Sequence, residues 1–355
     1  MIKAIKFHNC TTRNKLKVLI QIQPKVAAKR MRVFLNSALV FGLLGSLITI
    51  SNCDKENPVE NPLPTYPDVD RKDKLPDDIS KRGPDTDQHP PILHSTEFEE
   101  PVPLSSGINT AGAEDSPFIL PDGNTLYFFF TPDVRVPAEQ QLFDEVTGVW
   151  VSYKVNNEWE EAERVWLQDP GKLALDGAVA VQGNEIWFAS AREGFTAVNM
   201  FTAEWVNNKW MNWKYSGDRL MKEIQIGEVH IHGDSLYFHS ARTGGLGSFD
   251  IWVTNRNGDL WSDPINIEAV NSNEMDGWPF ISSDGNELWF TRMNQGTPAI
   301  FRSLKNGGSW SAPELILSQF AGEPTLDNAA NLYFVHHFYE NGVMIEADIY
   351  AAYKK

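Results

Sequence analysis

The chain has 355 residues, 42% hydrophobic and 22% charged, a balance that can bury at least one sizeable core. Nine of its 31 bases lie in residues 1–53, which hold no acid, so the remainder sets 22 bases against 47 acids and carries a formal charge of −25. A surface that negative repels phosphate backbones and anionic headgroups, which argues against nucleic acid or a bilayer face as direct ligand, and the two cysteines, Cys10 and Cys53, show neither metal-binding nor redox spacing.

From Met31 the sequence reads as a basic start, an apolar run over residues 38–50 and a polar exit at Ser51-Asn52-Cys53. These are the parts of a secretory signal, and the run is shorter than the ~20 residues that span a bilayer. Met31 is then a candidate start. Ile50-Ser51-Asn52-Cys53 resembles a lipobox, although Asn52 departs from the small residue usual before the Cys. The resemblance implies cleavage and lipidation at Cys53, with the mature chain held to the cell envelope through that lipid, as an outer-membrane lipoprotein facing the periplasm or the exterior. Residues 54–95 contain eight prolines, many charges and few apolar groups, and are expected to form a disordered tether.

Residues 96–355 repeat one pattern five times: a small or acidic residue, an apolar stretch, a turn and an aromatic strand. The first instance is Asp115-Ser-Pro-Phe-Ile-Leu-Pro-Asp-Gly-Asn-Thr-Leu-Tyr-Phe128, and the others start at Asp176, Gly227, Asp276 and Glu323. Turns such as Asp122-Gly123 and Asp284-Gly285 are hairpin chemistry. Trp159, Trp210, Trp261 and Trp310 recur every 49–51 residues, and four strands in about 50 residues is the size of a propeller blade. The fifth unit lacks a fourth strand, while Phe98-Glu-Glu-Pro101-Val-Pro-Leu104 upstream aligns with Trp261-Ser-Asp-Pro264. The expected fold is therefore all-β, a five-bladed β-propeller over residues 96–355 whose N-terminal strand closes the last blade.

Ser240-Ala-Arg-Thr-Gly-Gly-Leu-Gly-Ser-Phe-Asp-Ile-Trp252, running on to Asn271-Ser-Asn-Glu-Met-Asp276, resembles the WD40-like propellers called PD40, the group that includes TolB. The resemblance implies a propeller serving as an interaction or ligand-binding module. First strands line a propeller's channel, so Asp115, Asp176, Glu228, Asp276 and Glu323 are expected to converge on one rim, where like charges attract a cation or a polyol. Trp278 is grouped with them as a ligand contact. Arg192 and Arg242, in matching Ser-Ala-Arg triplets, either clamp a ligand or tie a loop to a neighbouring acid.

Glu228, His230 and His232 alternate on one strand and share a face. That set is short of a fourth ligand, so no metal is assigned, and Thr243-Gly-Gly-Leu-Gly247 lacks the strand-to-helix setting of a phosphate loop, so no cofactor is assigned either. Two functions remain. One is an envelope-displayed module binding a glycan, a peptide or an envelope protein. The other is a glycoside hydrolase resembling family 43, with Asp115, Asp176 and Glu228 as its carboxylates.

Overall fold

The computed structural model describes residues 64–355; the signal segment, Cys53 and residues 54–63 lie outside the described residues. Turn residues that accept positive φ, Gly123 at +71° and Gly285 at +73° among them, reverse the chain after the first strand of a repeat. The strands that follow, such as Thr125–Thr131, are apolar on both faces because both faces are covered. The result is all-β, with five antiparallel meanders among the described residues.

Their innermost strands are Ala113–Ile119, Ala174–Gln182, Val229–His232, Asp276–Ile281 and Ala321–Leu326. Each packs against the next in chain order, and Ala321–Leu326 packs back against Ala113–Ile119. Aromatic and aliphatic side chains fill the spaces between sheets. Phe128, Phe130 and Trp150 meet Tyr333 and Ile349 between the first and fifth meanders, while Tyr237 and Ile251 meet Ile281 and Phe290 between the third and fourth.

The outermost strand of the fifth meander comes from the N-terminal side. Val102 lies opposite Ala351 and Pro103 opposite Tyr350, and Phe98, 1% exposed, bridges to Lys354. Ile92–Leu93 likewise adds an edge to the fourth meander, with Ile92 opposite Ser318. A single parallel bridge, Ala347 to Ala113, joins the fifth sheet to the first.

The expectation of a disordered tether over 54–95 is corrected for its described part. Thr65–Lys355 cluster in one compact unit, and residues 64–95 are fastened to the sheets by charge. Arg71 is fully buried: Nη1 donates to the Ile108 carbonyl at 2.7 Å and to Glu114 Oε1 at 3.1 Å, and Nη2 donates to the Gly107 carbonyl at 2.7 Å. Its guanidinium lies 5.3–5.8 Å from the rings of Phe128, Phe130 and Trp150. Further along, Lys81 pairs with Glu346 and Asp348, Arg82 with Glu340, and Asp87 with His336 at 2.7 Å. Proline-rich composition tells only that a segment cannot build its own core. It says nothing of ion pairs to residues more than 200 positions away.

Removing Arg71 strands the Glu114 carboxylate, whose protonation burial already favours although Arg71 opposes it. Arg71→Leu is expected to lower the unfolding free energy by about 3–5 kcal/mol in urea. Arg135→Leu, at the solvent-screened pairs with Asp78 and Asp133, should leave the urea midpoint close to that of the parent. Equal urea midpoints for the two variants would show that Arg71 does not anchor the segment.

Candidate functional site

Four of the five innermost strands carry the same irregularity. Three residues of the inner strand oppose two of its partner between Asp115 and Phe118, Gly177 and Ala180, Gly277 and Phe280, and Gly322 and Thr325. These are β-bulges, and their second residues, Ser116, Ala178, Trp278 and Glu323, sit at φ between +50° and +57°. In the third meander Gly227 donates to the His239 carbonyl and His230 pairs with Tyr237, so Glu228 holds the matching place. A bulge re-aims a side chain. Ser116, Ala178, Trp278 and Glu323 are each the partly exposed interruption in a run of buried residues, and they open with Glu228 onto one cleft of about 50 Å³.

A bulge also frees a backbone N–H from the ladder, and here side chains accept it. Glu323 N donates to Thr291 Oγ1 at 2.7 Å, Trp278 N to His239 Nδ1 at 3.3 Å, and Ser116 N to Asp115 Oδ1 at 2.8 Å. Thr291 and His239 belong to the second strand of the preceding meander and hold equivalent positions, opposite Gly277 and Gly227. Proline follows the bulge residue at 117, 279 and 324, where no N–H has to be accommodated.

This register corrects the expected rim of five acids. Asp176 and Asp276 lie two residues before the bulge, fully buried, and are ion-paired with Arg192 at 2.8 Å and Arg292 at 2.5 Å. The third occupant of that position is Glu114 with Arg71, not Asp115. Asp115 stands one residue further on, 3.9 Å from the His337 ring. Of the five acids, only Glu228 and Glu323 line the cleft, where Trp278, Phe118, His230 and Phe280 join them. Counting residues back from the aromatic strand could not separate these places, because the bulge lies between them.

Arg192 is enclosed by Phe188, Phe201 and Trp213, with ring distances of 4.4–5.0 Å, and serves Asp176 rather than a ligand. Arg242 reaches the Ile224 carbonyl at 3.5 Å and lies over Trp252; it does not repeat the Arg192 pairing. His230 is packed edge-on against Phe280, 4.4 Å between centroids, with Phe118 on another side. Burial, and next to it the neighbouring His232, push its pKa down to about 3, so it is a neutral wall of the cleft near pH 7. His232 donates from Nε2 to the Ser283 carbonyl of the next meander at 3.2 Å. Among the described residues no three His, Cys, Asp or Glu side chains are grouped to hold a metal ion.

No family model matches the chain, and no curated protein matches it by sequence. Similar solved structures include TolB from Acinetobacter baumannii, 11% identical over 70% of this chain at a TM-score of 0.40, and a protein of unknown function from Dyadobacter fermentans, 12% identical over 74% at 0.44. A gluconolactonase from Xanthomonas campestris is 11% identical over 75% at 0.41. The match spans 56% of the TolB chain, 100% of the Dyadobacter protein and 95% of the gluconolactonase. Likenesses this distant lend this chain no activity, ligand or partner.

His230 and His337 have pKa values lowered by burial to about 3 and about 4, from an ordinary 6.5. Between pH 6.5 and those values the unfolded chain takes up protons that the folded chain does not, so stability falls as pH falls through that window. His230→Phe removes one such group. Its stability relative to the parent is expected to improve by on the order of 2 kcal/mol between pH 7 and pH 4.5, read as the change in urea midpoints. A difference that stays constant with pH would mean that His230 is not buried neutral.

Proposed function

We propose that the chain is an envelope lipoprotein, anchored through Cys53, whose residues 96–355 form a five-bladed, TolB-like propeller that binds a ligand or partner in its central cleft. The unbroken series of contacts among the five inner strands supports the blade count, and the pairing of Val102–Pro103 with Val343–Ala352 supports a closure made by the N-terminal strand. No helix of the described residues is long and apolar enough to cross a membrane, and the formal charge of −25 after Cys53 disfavours docking on anionic lipid. Attachment is therefore assigned to the lipid on Cys53.

One observation carries the binding role. Four of the five inner strands hold a non-glycine residue, Ser116, Ala178, Trp278 or Glu323, in a left-handed conformation that turns its side chain toward the same space, at a cost of about 1–2 kcal/mol each. A purely structural channel could be packed without that cost. The cleft joins carboxylates, an indole and apolar walls, the mixture by which binding sites hold glycans and peptides. Family 43-type hydrolysis has less support: it calls for Asp115, Asp176 and Glu228 on one open pocket, yet Asp176 is sealed against Arg192 and Asp115 stands beside His337.

Trp278 shows that the bulge position takes an indole, so Ala178→Trp is a cleft-filling variant that this backbone accepts. Ligands found on glycan and peptide arrays with the parent chain should be lost with Ala178→Trp at an unchanged melting temperature. Undiminished binding would place the site elsewhere. Cys53→Ala should move the protein from the membrane to the soluble fraction and abolish palmitate labelling; a variant that stays in the membrane would refute the anchor.

A further inference from the structure

We propose that the face of the fifth meander formed by Leu332–Glu340 and Val343–Ala352 is a docking groove for an extended peptide bearing Lys-Arg, and that residues 76–91 occupy it as a displaceable internal strap. None of the residues of these two strands lines the central cleft, so the inference adds a second surface to the first. Glu346 and Asp348 alternate along one strand and share a face, His336 lies opposite Asp348 on the next, and Glu340 ends that strand. The strap sends Lys81 to Glu346 and Asp348, Arg82 to Glu340 at 2.7 Å, and Asp87 to His336 at 2.7 Å. The Arg82 N–H donates to Glu346 Oε2 at 2.9 Å.

The groove needs a cation, but the strap need not be its source. The side chains of Glu346 and Asp348 are 2% and 1% exposed. Burial pushes the Glu346 carboxyl up and the Asp348 carboxyl well up, and Lys81 works against both. Ionised carboxylates this deep are costly without a positive partner at contact distance. Beyond these pairs the strap is lightly held: Asp78 meets Arg135 in solvent, and His89 lies 5.5 Å from the Phe320 ring. From Pro76 to His94 no residue is buried, and among the described residues the Arg82 N–H is the one backbone group of 76–91 bonded to the sheets. Both ends are fixed elsewhere, by Arg71 with Glu114 and by Ile92 opposite Ser318, so the strap can lift without unfolding a blade. The same chemistry defines what replaces it. The enclosed carboxylates beside the Phe338 ring, 5.7 Å from Lys81 Nζ, take an ammonium on a slim stem, and Glu340, at the rim, takes a guanidinium. The bond from the next residue's N–H to Glu346 calls for a peptide backbone rather than a free amine. An acidic exterior steers such a basic segment toward the groove.

The test uses the purified full-length chain and a fluorescently labelled synthetic peptide of residues 76–91, read by anisotropy. A tethered strap competes at an effective concentration on the order of millimolar, so the parent should take up the peptide poorly. In Lys81→Met/Arg82→Met the tethered strap loses its hold, and the peptide should bind at least about tenfold more tightly than to the parent and raise the variant's melting temperature. The peptide carrying the same two Met substitutions should bind that variant about tenfold more weakly, and so should the native peptide once Asp348→Asn is added. Should the double variant not fold, Arg82→Met alone, which leaves Lys81 on its carboxylates, should still bind the peptide more tightly than the parent does. A loosened strap that gains no affinity for the peptide, native and Met-substituted peptides that bind alike, or binding that Asp348→Asn leaves intact would each overturn the proposal and make the strap a fixed part of the fold.

Discussion

A carboxylate buried at one repeated position, and the guanidinium brought to it, is the constraint on which much of this architecture depends. Glu114, Asp176 and Asp276 all stand two residues before the bulge residue, essentially without solvent, and each is met by an arginine. Arg192 and Arg292 lie on the second strand of their own meanders. Arg71 comes from the segment ahead of the sheets. Buried pairs of this kind add little net stability over well-packed apolar groups, but removing one partner is severe. Their effect is to specify: each carboxylate admits one arrangement of the chain around it, and at Glu114 that arrangement includes residues 64–95. The N-terminal segment is thereby part of the fold rather than an approach to it.

The bulge divides two classes of acid that the sequence sets only two or three residues apart. Before it, side chains face inward between sheets and must be neutralised. At it, the chain turns into a left-handed conformation and the next side chain opens onto the central cleft. That position carries Ser, Ala, Glu, Trp and Glu, whereas residues on either side are constrained by the core. The displaced backbone N–H then becomes a link between neighbours, since His239 and Thr291 accept it from the following meander. Register in one sheet is in this way coupled to register in the next, and the floor of the cleft is held by the same bonds that order the meanders.

How much of this could be read from the sequence follows from how local each signal is. The Asp-Gly and Gly-Asn turns, the Leu-Tyr-Phe strands and the recurring Trp all act within a few residues, and they told of an all-β chain. The kinship of Phe98-Glu-Glu-Pro101 with Trp261-Ser-Asp-Pro264 was legible for the same reason, and the structure pairs Val102 with Ala351. The acids were misassigned because a bulge adds a residue that counting along a strand does not register. Its trace was nevertheless present in Pro117, Pro279 and Pro324, which a central strand tolerates only where the ladder is broken. The role of residues 64–95 was illegible on different grounds: Arg71 and Lys81 are ordinary surface residues by type, and only the tertiary position of Glu114, Glu346 and Asp348 makes them structural.

These internal pairs change what the net charge means. Arg71, Arg192, Arg292 and Arg302 are buried or nearly so, the last between Glu97 and Glu314. Bases spent inside a protein do not offset acids on its surface one for one in the field that an approaching molecule meets, because each is matched to a particular carboxylate at contact distance. What remains outside is dominated by Asp and Glu from a chain that carries −25 after Cys53. That field falls off over a Debye length of about 8 Å in physiological salt and is focused wherever the surface is concave and of low dielectric. The same sign of charge holds the folded part away from anionic headgroups.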